Sequence, residues 1–72
     1  MKIITKFACY YPIDSNERRT YRIVCNENGM YMIEQKSYCQ NRWYNAFPDY
    51  VKWNTLQELY KSYEFRCLFN IF

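Results

Sequence analysis

The feature that most constrains this chain is an amphipathic helix predicted over residues 54–63. Four apolar side chains recur there at i, i+3, i+4 and i+7, which places them on one stripe of the helix: Leu56, Leu59, Tyr60 and Tyr63. Either Asn54 or Thr55 can cap its start, because Gln57 or Glu58 follows three residues later in capping-box spacing. The preceding residues are predicted to form strands with one apolar face, and we expect this helix to pack on that face.

The length of the chain, 72 residues, suits one domain (residues 1–72) with a core near the minimum workable size. Ordering such a chain costs on the order of 100 kcal/mol of conformational free energy. Nine Tyr, five Phe and two Trp supply the apolar area that must offset this cost. Aromatic residues are also favoured at the centres of protein interfaces. The composition therefore suits both a thin core and a surface that binds another protein.

Three segments have the alternation of β-strands. The first covers residues 2–11 and ends before Pro12, which has no N–H to donate to a ladder. A polar connection over residues 13–18 leads to a second strand over 19–25, and a third strand follows over about 30–38. The spacing predicts an antiparallel meander.

The turn between the second and third strands contains Gly29, the single glycine of the chain, as a tight hairpin requires. A two-residue loop would place Ile23 opposite Glu34, an unfavourable pair of an apolar core residue with a charged one. A three-residue loop with a left-handed Gly29 instead matches apolar with apolar residues and opposite charges with each other. We therefore predict the three-residue loop and these pairs: Ile23 with Ile33, Cys25 with Tyr31, and Arg22 with Glu34.

Residues 38–53 have no clear period, although residues 50–53 are compatible with a short fourth strand. The tail over residues 65–72 is β-prone and nearly uncharged, so we expect it to dock on an edge or face of the sheet, or in a dimer contact. The predicted fold class is α+β: an antiparallel sheet of three to four strands packed against one α-helix.

Charge and cysteine content exclude some classes of protein. The formal net charge of +3 excludes an acidic DNA mimic and falls below the basic excess typical of nucleic-acid binding. The four cysteines have no two-residue gaps and no histidine accompanies them, so we expect no metal or other cofactor: Cys9, Cys25, Cys39 and Cys67. We interpret them as small reduced hydrophobes in a cytoplasmic protein with neither a signal peptide nor a membrane span, rather than as a disulfide or metal framework.

Required catalytic groups are missing from the sequence. One glycine cannot form a phosphate-binding loop, and the absence of histidine removes Ser-His and Cys-His nucleophiles. Asp14, Glu17 and Glu58 read as solvated surface carboxylates rather than as an acid–base pair. We therefore expect no enzymatic activity.

The strand face away from the helix is the first candidate surface, because it is more apolar than a plain solvated face. It would carry Ile4, Ala8, Tyr10, Val24, Met30, Met32 and Tyr38 between Lys6, Arg22, Glu34 and Lys36. Either the C-terminal tail folds over this face or the face binds a partner. Residues 40–45 form a second candidate, in which Trp43 is either a core residue or an anchor for a partner.

Two classes of function fit these surfaces. One is a protein-binding module that contacts its partner through six residues: Arg18, Arg19, Tyr38, Arg42, Trp43 and Tyr44. The alternative is a single-stranded nucleic-acid module, in which aromatic residues stack on bases while basic residues meet phosphates: Tyr10, Tyr38, Trp43, Lys6, Arg22 and Lys36. A homodimer through the C-terminal tail is a third possibility.

A resemblance to known proteins adds a partner class. The Tyr-Arg-Ile-Val and Asn-Gly pieces of the hairpin over residues 21–29, and the Trp-Asn-Thr-Leu-Gln-Glu-Leu helix start over 53–59, resemble small accessory proteins of bacteriophages and mobile elements. Anti-defence inhibitors such as anti-CRISPR proteins are prominent among these. The resemblance implies a phage-encoded inhibitor that binds a host protein or ribonucleoprotein in the bacterial cytoplasm.

Overall fold

The computed structural model describes residues 1–10, 18–37 and 41–69. Four antiparallel strands form one sheet in chain order, and two short helices follow: β1 Lys2–Tyr10, β2 Arg18–Cys25, β3 Tyr31–Lys36, β4 Trp43–Asn45, α1 Leu56–Lys61 and α2 Tyr63–Phe69. The α+β class and the meander are confirmed. The sequence predicted a single helix, and the second one is a correction.

The hairpin between β2 and β3 has the predicted three-residue loop. Ile23 pairs with Ile33, and the other two predicted pairs also form. Gly29 has a φ of 79°, in the left-handed region, and the Asn26 N–H donates to the Met30 carbonyl at 2.8 Å to close the loop. The Asn26 side chain accepts two further bonds at 2.9 Å, from the N–H groups of Asn28 and Met30. These local bonds set the register of the whole β2–β3 pair.

The core lies between one face of the sheet and the two helices. Tyr21, Ile23 and Ile33 are buried on the sheet, under Leu59 of α1 and Leu68 of α2. The predicted cover over the Ile23 and Ile33 face is therefore confirmed. Its most deeply buried members, Ile23 and Leu59, have no exposed surface.

Strand β1 contains a register shift that the sequence pattern did not reveal. Ile3 pairs with Val24 but Thr5 pairs with Ile23, so a bulge lies between Ile3 and Thr5. Strict alternation places Ile4 on the face away from the helices, and that assignment is wrong. The bulge turns Ile4 toward the core, against which it packs.

The predicted helix over residues 54–63 is interrupted at Ser62. Its start is as expected: the Thr55 hydroxyl accepts from the Glu58 N–H at 3.1 Å, and Glu58 reaches back to the Asn54 N–H at 3.3 Å. Ser62 is extended, and its hydroxyl donates to the Leu59 carbonyl at 2.6 Å and accepts from the Phe65 N–H at 3.1 Å. One side chain thus ends α1 and starts α2.

The interruption changes which side chains of the predicted apolar stripe are buried. Leu59 is buried as predicted and Leu56 is half-buried. Tyr60 and Tyr63 are 44% and 71% exposed, so their assignment to the core is wrong. Tyr63 belongs to α2, which starts after the extended residue and no longer continues the stripe of α1.

The C-terminal segment is helical where the sequence predicted β structure. Residues 63–69 form α2, and residues 70–72 lie outside the described part of the chain. Leu68 joins the core, and the ring of Phe65 meets that of Phe7 edge-on at 5.9 Å. Phe65 and Leu68 are three residues apart, a helical spacing that a short β-prone run conceals. The segment docks on a sheet face, as expected, but on the same face as α1.

The fourth strand is not where it was predicted. It lies at residues 43–45, paired with residues 34–36 of β3. The predicted strand over residues 50–53 makes only a single bridge, in which Trp53 and Tyr31 exchange two backbone bonds of 2.8 and 3.0 Å. The Val51 N–H donates to the Pro48 carbonyl in a turn, which keeps the rest of this segment out of the sheet.

Candidate functional site

The sheet face opposite the helices carries the candidate site. We call it the helix-free face, because both described helices pack on the other side. Cross-strand partners share a side of the sheet, so the ladders define its residues in rows. The first row is Ile3, Val24 and Met32; the second is Lys6, Arg22, Glu34 and Asn45; the third contains the pairs Ala8 with Thr20 and Lys36 with Trp43.

The centre of the helix-free face is a three-residue cluster of Arg22, Glu34 and Trp43. The Arg22 Nε donates to the Glu34 Oε1 at 2.7 Å, and their side chains are only 15% and 10% exposed. The Arg22 guanidinium carbon lies 4.3 Å from the centroid of the Trp43 ring. An arginine at this distance from an aromatic ring is held by a cation–π attraction. The cluster therefore fixes the ring of Trp43 relative to the sheet.

The interpretation of Trp43 as a core residue is wrong, because Trp43 lies outside the core cluster and contacts Arg22 on the opposite face. It is half-buried and belongs to the short strand β4. Its sequence neighbours are more accessible: Arg42 is exposed, and Tyr44 is 48% exposed. Three consecutive residues thus present an arginine and two aromatic rings at an edge of the described sheet.

The predicted site residues that the structure describes lie at one end of the sheet but not on one face. Arg18 and Arg19 begin β2, and in this antiparallel sheet the start of β2 lies beside the end of β3 and near the start of β4. At that end the Ser37 N–H, just after β3, donates to the Arg42 carbonyl, just before β4. Trp43 belongs to the helix-free face, whereas Tyr44 pairs with Gln35 and so belongs to the other.

Two of the predicted contacts are only partly described. Arg18 is described by its backbone alone, where it pairs with Tyr10, and Arg19 is half-buried and pairs with Cys9. Tyr38 lies outside the described residues. The structure therefore describes one part of the predicted site most completely, namely Arg42 and the first two residues of β4, Trp43 and Tyr44.

Some features of the surface escaped the sequence analysis. The contact between Arg22 and Trp43 was missed, because it requires β4 to lie beside β3 and residues 41–45 have no strand period. The exposed rings of Tyr60 and Tyr63 were missed because they match a helical stripe. Ser62, a good capping residue between them, is the sequence feature that could have indicated the break.

The sequence left open whether the C-terminal tail covers the helix-free face. Residues 63–69 of the tail do not, because α2 packs on the other side of the sheet. Val24 is nonetheless fully buried in the first row, between Ile3 and Met32. The Asn26 amide contributes a further contact, from its Nδ2 to the Met32 sulfur at 3.8 Å. This row is thus apolar and packed, whereas the second and third rows carry the charges.

Potential metal-ligating side chains do not cluster among the described residues. No three of their His, Cys, Asp or Glu side chains come together as a metal site would require. Cys25 and Cys67 are free, half-buried thiols, and the side chains of Cys9 and Cys39 lie outside the described part. Neither described helix, at six and seven residues, has the length and apolar character needed to cross a membrane.

Comparison with known proteins finds no matching family model, no matching curated protein and no matching solved structure.

Proposed function

We propose that this chain is a non-enzymatic protein-binding module that inhibits its partner by occupying part of the partner's surface. One observation carries the proposal: Trp43 lies outside the core, held in place by Arg22 and flanked in sequence by the exposed residues Arg42 and Tyr44. Tryptophan, tyrosine and arginine are the residue types that dominate binding energy at protein interfaces.

The fixed position of Trp43 supports this function energetically. Each side chain that an interface immobilises costs roughly 0.5–1.5 kcal/mol of conformational entropy. The contact with Arg22 restricts the ring before a partner arrives, and the bond from Arg22 to Glu34 restricts the arginine in turn. The cost of ordering Trp43 on binding is therefore reduced, as it is for other preorganised anchors.

The partner class follows from the resemblance to accessory proteins of phages and mobile elements. We propose a phage-encoded inhibitor that binds a host defence protein or ribonucleoprotein, such as a CRISPR effector, in the bacterial cytoplasm. The mechanism is steric: aromatic anchors fill pockets on the partner, and arginine or lysine side chains make charge-assisted bonds at the rim. No catalytic step and no cofactor are part of it.

A nucleic-acid module is the second candidate, favoured by the presence of Lys6, Arg22, Lys36 and Trp43 on one face. Two contacts oppose it. The Trp43 ring already has Arg22 over it, and the Glu34 carboxylate beside Arg22 would repel a phosphate. Binding of this kind weakens steeply with rising salt, so a salt titration with an oligonucleotide distinguishes it.

Affinity capture from a bacterial lysate tests the proposed function. A tagged protein is compared with a double variant, Arg42→Ala with Trp43→Ala, and with Tyr63→Ala as a matched control, because Tyr63 is an exposed aromatic residue on α2. The wild type and the control should retain the same partner, and the double variant should bind it at least about 30-fold more weakly, the loss typical of an interface hot spot. Undiminished capture by a folded double variant would refute the assignment of the site.

The homodimer predicted through the C-terminal tail is a separate proposal. Sedimentation equilibrium of the purified chain tests it directly, because a dimer doubles the measured mass. A truncation of residues 70–72 would then show whether the tail holds the dimer together. A monomer at all accessible concentrations would exclude it.

A further inference from the structure

We infer that the partner surface recognised by this chain is acidic, and that Lys6 and Lys36 on the helix-free face are the residues that recognise its charge. The inference rests on the proposed binding function and adds the chemistry of the partner.

The charges on the helix-free face do not cancel. Its described side chains include three cations, Lys6, Arg22 and Lys36, against the carboxylate of Glu34 and that of Asp49, which accepts a bond from Asn45 at the β4 edge. The Glu34 Oε1 already accepts the Arg22 Nε at 2.7 Å, so this pair largely neutralises itself. Lys6 and Lys36 are both exposed, each beside a member of the central cluster: Lys6 pairs with Arg22 and Lys36 with Trp43. The uncompensated charge on the described part of this face is therefore positive, and it lies on β1 and β3, on the side of β4 where the sheet continues.

The positions of the two lysines define what fits between them. Lys6 is on β1 and Lys36 on β3, with β2 between, so two strand spacings of about 4.8 Å separate them across the sheet. The pair of Ala8 and Thr20 in the third row puts small side chains beside these long ones. A segment with carboxylates roughly 10–15 Å apart, lying across Ala8 and Thr20, would meet both ammonium groups.

A protein carboxylate fits this face better than a nucleic-acid phosphate. A base-stacking platform needs an aromatic ring with a free face, and the guanidinium of Arg22 lies over Trp43. Two carboxylates also lie close to this cluster: that of Glu34 bonds to Arg22, and that of Asp49 accepts from the side chain of Asn45, two residues after Trp43. A regular row of phosphates would pass close to them, whereas two separated carboxylates need not.

A nuclear magnetic resonance titration tests the inference with a defined probe. The isotopically labelled full chain is titrated with a decaglutamate peptide, with a decaglutamine peptide and with a single-stranded oligothymidylate of the same charge as decaglutamate. Decaglutamate should shift the amides of Lys6, Ala8, Thr20 and Lys36 and the indole of Trp43, while decaglutamine should shift none of them. The amides of Leu59 and Leu68, in the core under the other face, should stay in place.

Charge reversal then assigns the recognition to particular residues. The double variant Lys6→Glu with Lys36→Glu should bind decaglutamate about tenfold more weakly than the wild type. The matched control is Lys52→Glu with Lys61→Glu, which changes the net charge equally through two exposed lysines that are not among the residues of this face. An equal loss in the control, shifts away from the helix-free face, or absence of peptide binding would overturn the inference. Tighter binding of the oligothymidylate to the same face would overturn it in favour of nucleic acid.

The partner found by affinity capture separates this inference from the proposed function. If the Lys6 and Lys36 variant holds the partner as tightly as the wild type, while the Arg42 and Trp43 variant loses it, the acidic partner is refuted and the binding module stands. If both variants hold it, the assigned site fails together with the acidic partner, whereas failure of the wild type to retain any partner would refute the proposed function itself. If both variants lose the partner and the Lys52 and Lys61 control retains it, the binding module and the acidic partner are both supported.

Discussion

Arg22 and Glu34 lie directly opposite each other on β2 and β3, with the Arg22 Nε 2.7 Å from the Glu34 Oε1 and both side chains largely shielded from water. Removing one member of an ion pair this deeply buried lowers the free energy of unfolding, because the other charge is then left without its partner. The same arginine also holds Trp43. The pair therefore links the stability of the sheet to the geometry of the proposed anchor.

Removal of one member of this pair should destabilise the chain strongly. We expect Glu34→Gln to lower the free energy of unfolding by about 3 kcal/mol, because Arg22 then keeps its charge in a partly dry site. Urea unfolding followed by circular dichroism measures the loss. In the double variant Arg22→Met with Glu34→Leu most of the stability should return, since no charge is left unpaired. Equal losses in the single and double variants would contradict a buried pair.

Trp43 should matter little for stability. It lies outside the core, so Trp43→Ala should cost about 1 kcal/mol, chiefly through the lost contact with Arg22. Leu59→Ala is the reference, because Leu59 is fully buried and its truncation should cost about 3 kcal/mol. Urea unfolding of the two variants side by side tests the difference. A Trp43 variant that unfolds as readily as the Leu59 variant would show a structural role instead.

Gly29 should resist substitution for a conformational reason alone. A Cβ at this position would meet nothing within 4 Å, but its φ of 79° is unfavourable for residues with a side chain. Gly29→Ala should therefore cost about 1 kcal/mol. Gly29→Asn should cost less, because asparagine tolerates the left-handed region. Thermal unfolding of both variants distinguishes strain from crowding, since crowding would penalise the larger asparagine more.

The Ser62 hydroxyl should contribute about as much to the free energy of unfolding as a helix-capping residue does. Ser62→Ala removes the hydroxyl that bonds to Leu59 and Phe65, and we expect a loss of about 1 kcal/mol in urea unfolding. Thr55→Ala, which removes the cap of α1, provides a matched comparison. If Ser62→Ala instead raised the helical signal in circular dichroism without loss of stability, the break between the helices would depend on packing rather than on this hydroxyl.

The parts of the fold that were predictable from the sequence depend on local or pairwise chemistry. The hairpin follows from Gly29 and from the need to place Arg22 opposite Glu34 rather than opposite an apolar residue. The cap at Thr55 follows in the same way from its spacing to Glu58. In each case residues close together in the sequence specify the local structure, and the tertiary packing is consistent with it.

The parts that failed depend on tertiary context. The run from Phe65 to Leu68 is compatible with a strand or a helix, and its burial against Phe7 decides for the helix. The strand at 43–45 has too few residues for a period, and its pairing with β3 defines it. For the candidate site, Arg42, Trp43 and Tyr44 were identified by residue type. The contact of Trp43 with Arg22 was not, because it joins two distant parts of the chain.

The bulge between Ile3 and Thr5 has a consequence for fibril formation. The outer edge of β3 is occupied by β4 and by Trp53, whereas β1 pairs only with β2 among the described residues. Of the two edge strands of the described sheet, the nine-residue β1 offers an incoming strand a longer ladder than the three-residue β4. At β1 the shifted register interrupts the even spacing of backbone donors and acceptors, and the ammonium groups of Lys2 and Lys6 would have to give up water. Addition of a strand at this edge, the first step toward a cross-β polymer, is thus hindered in a chain rich in aromatic residues.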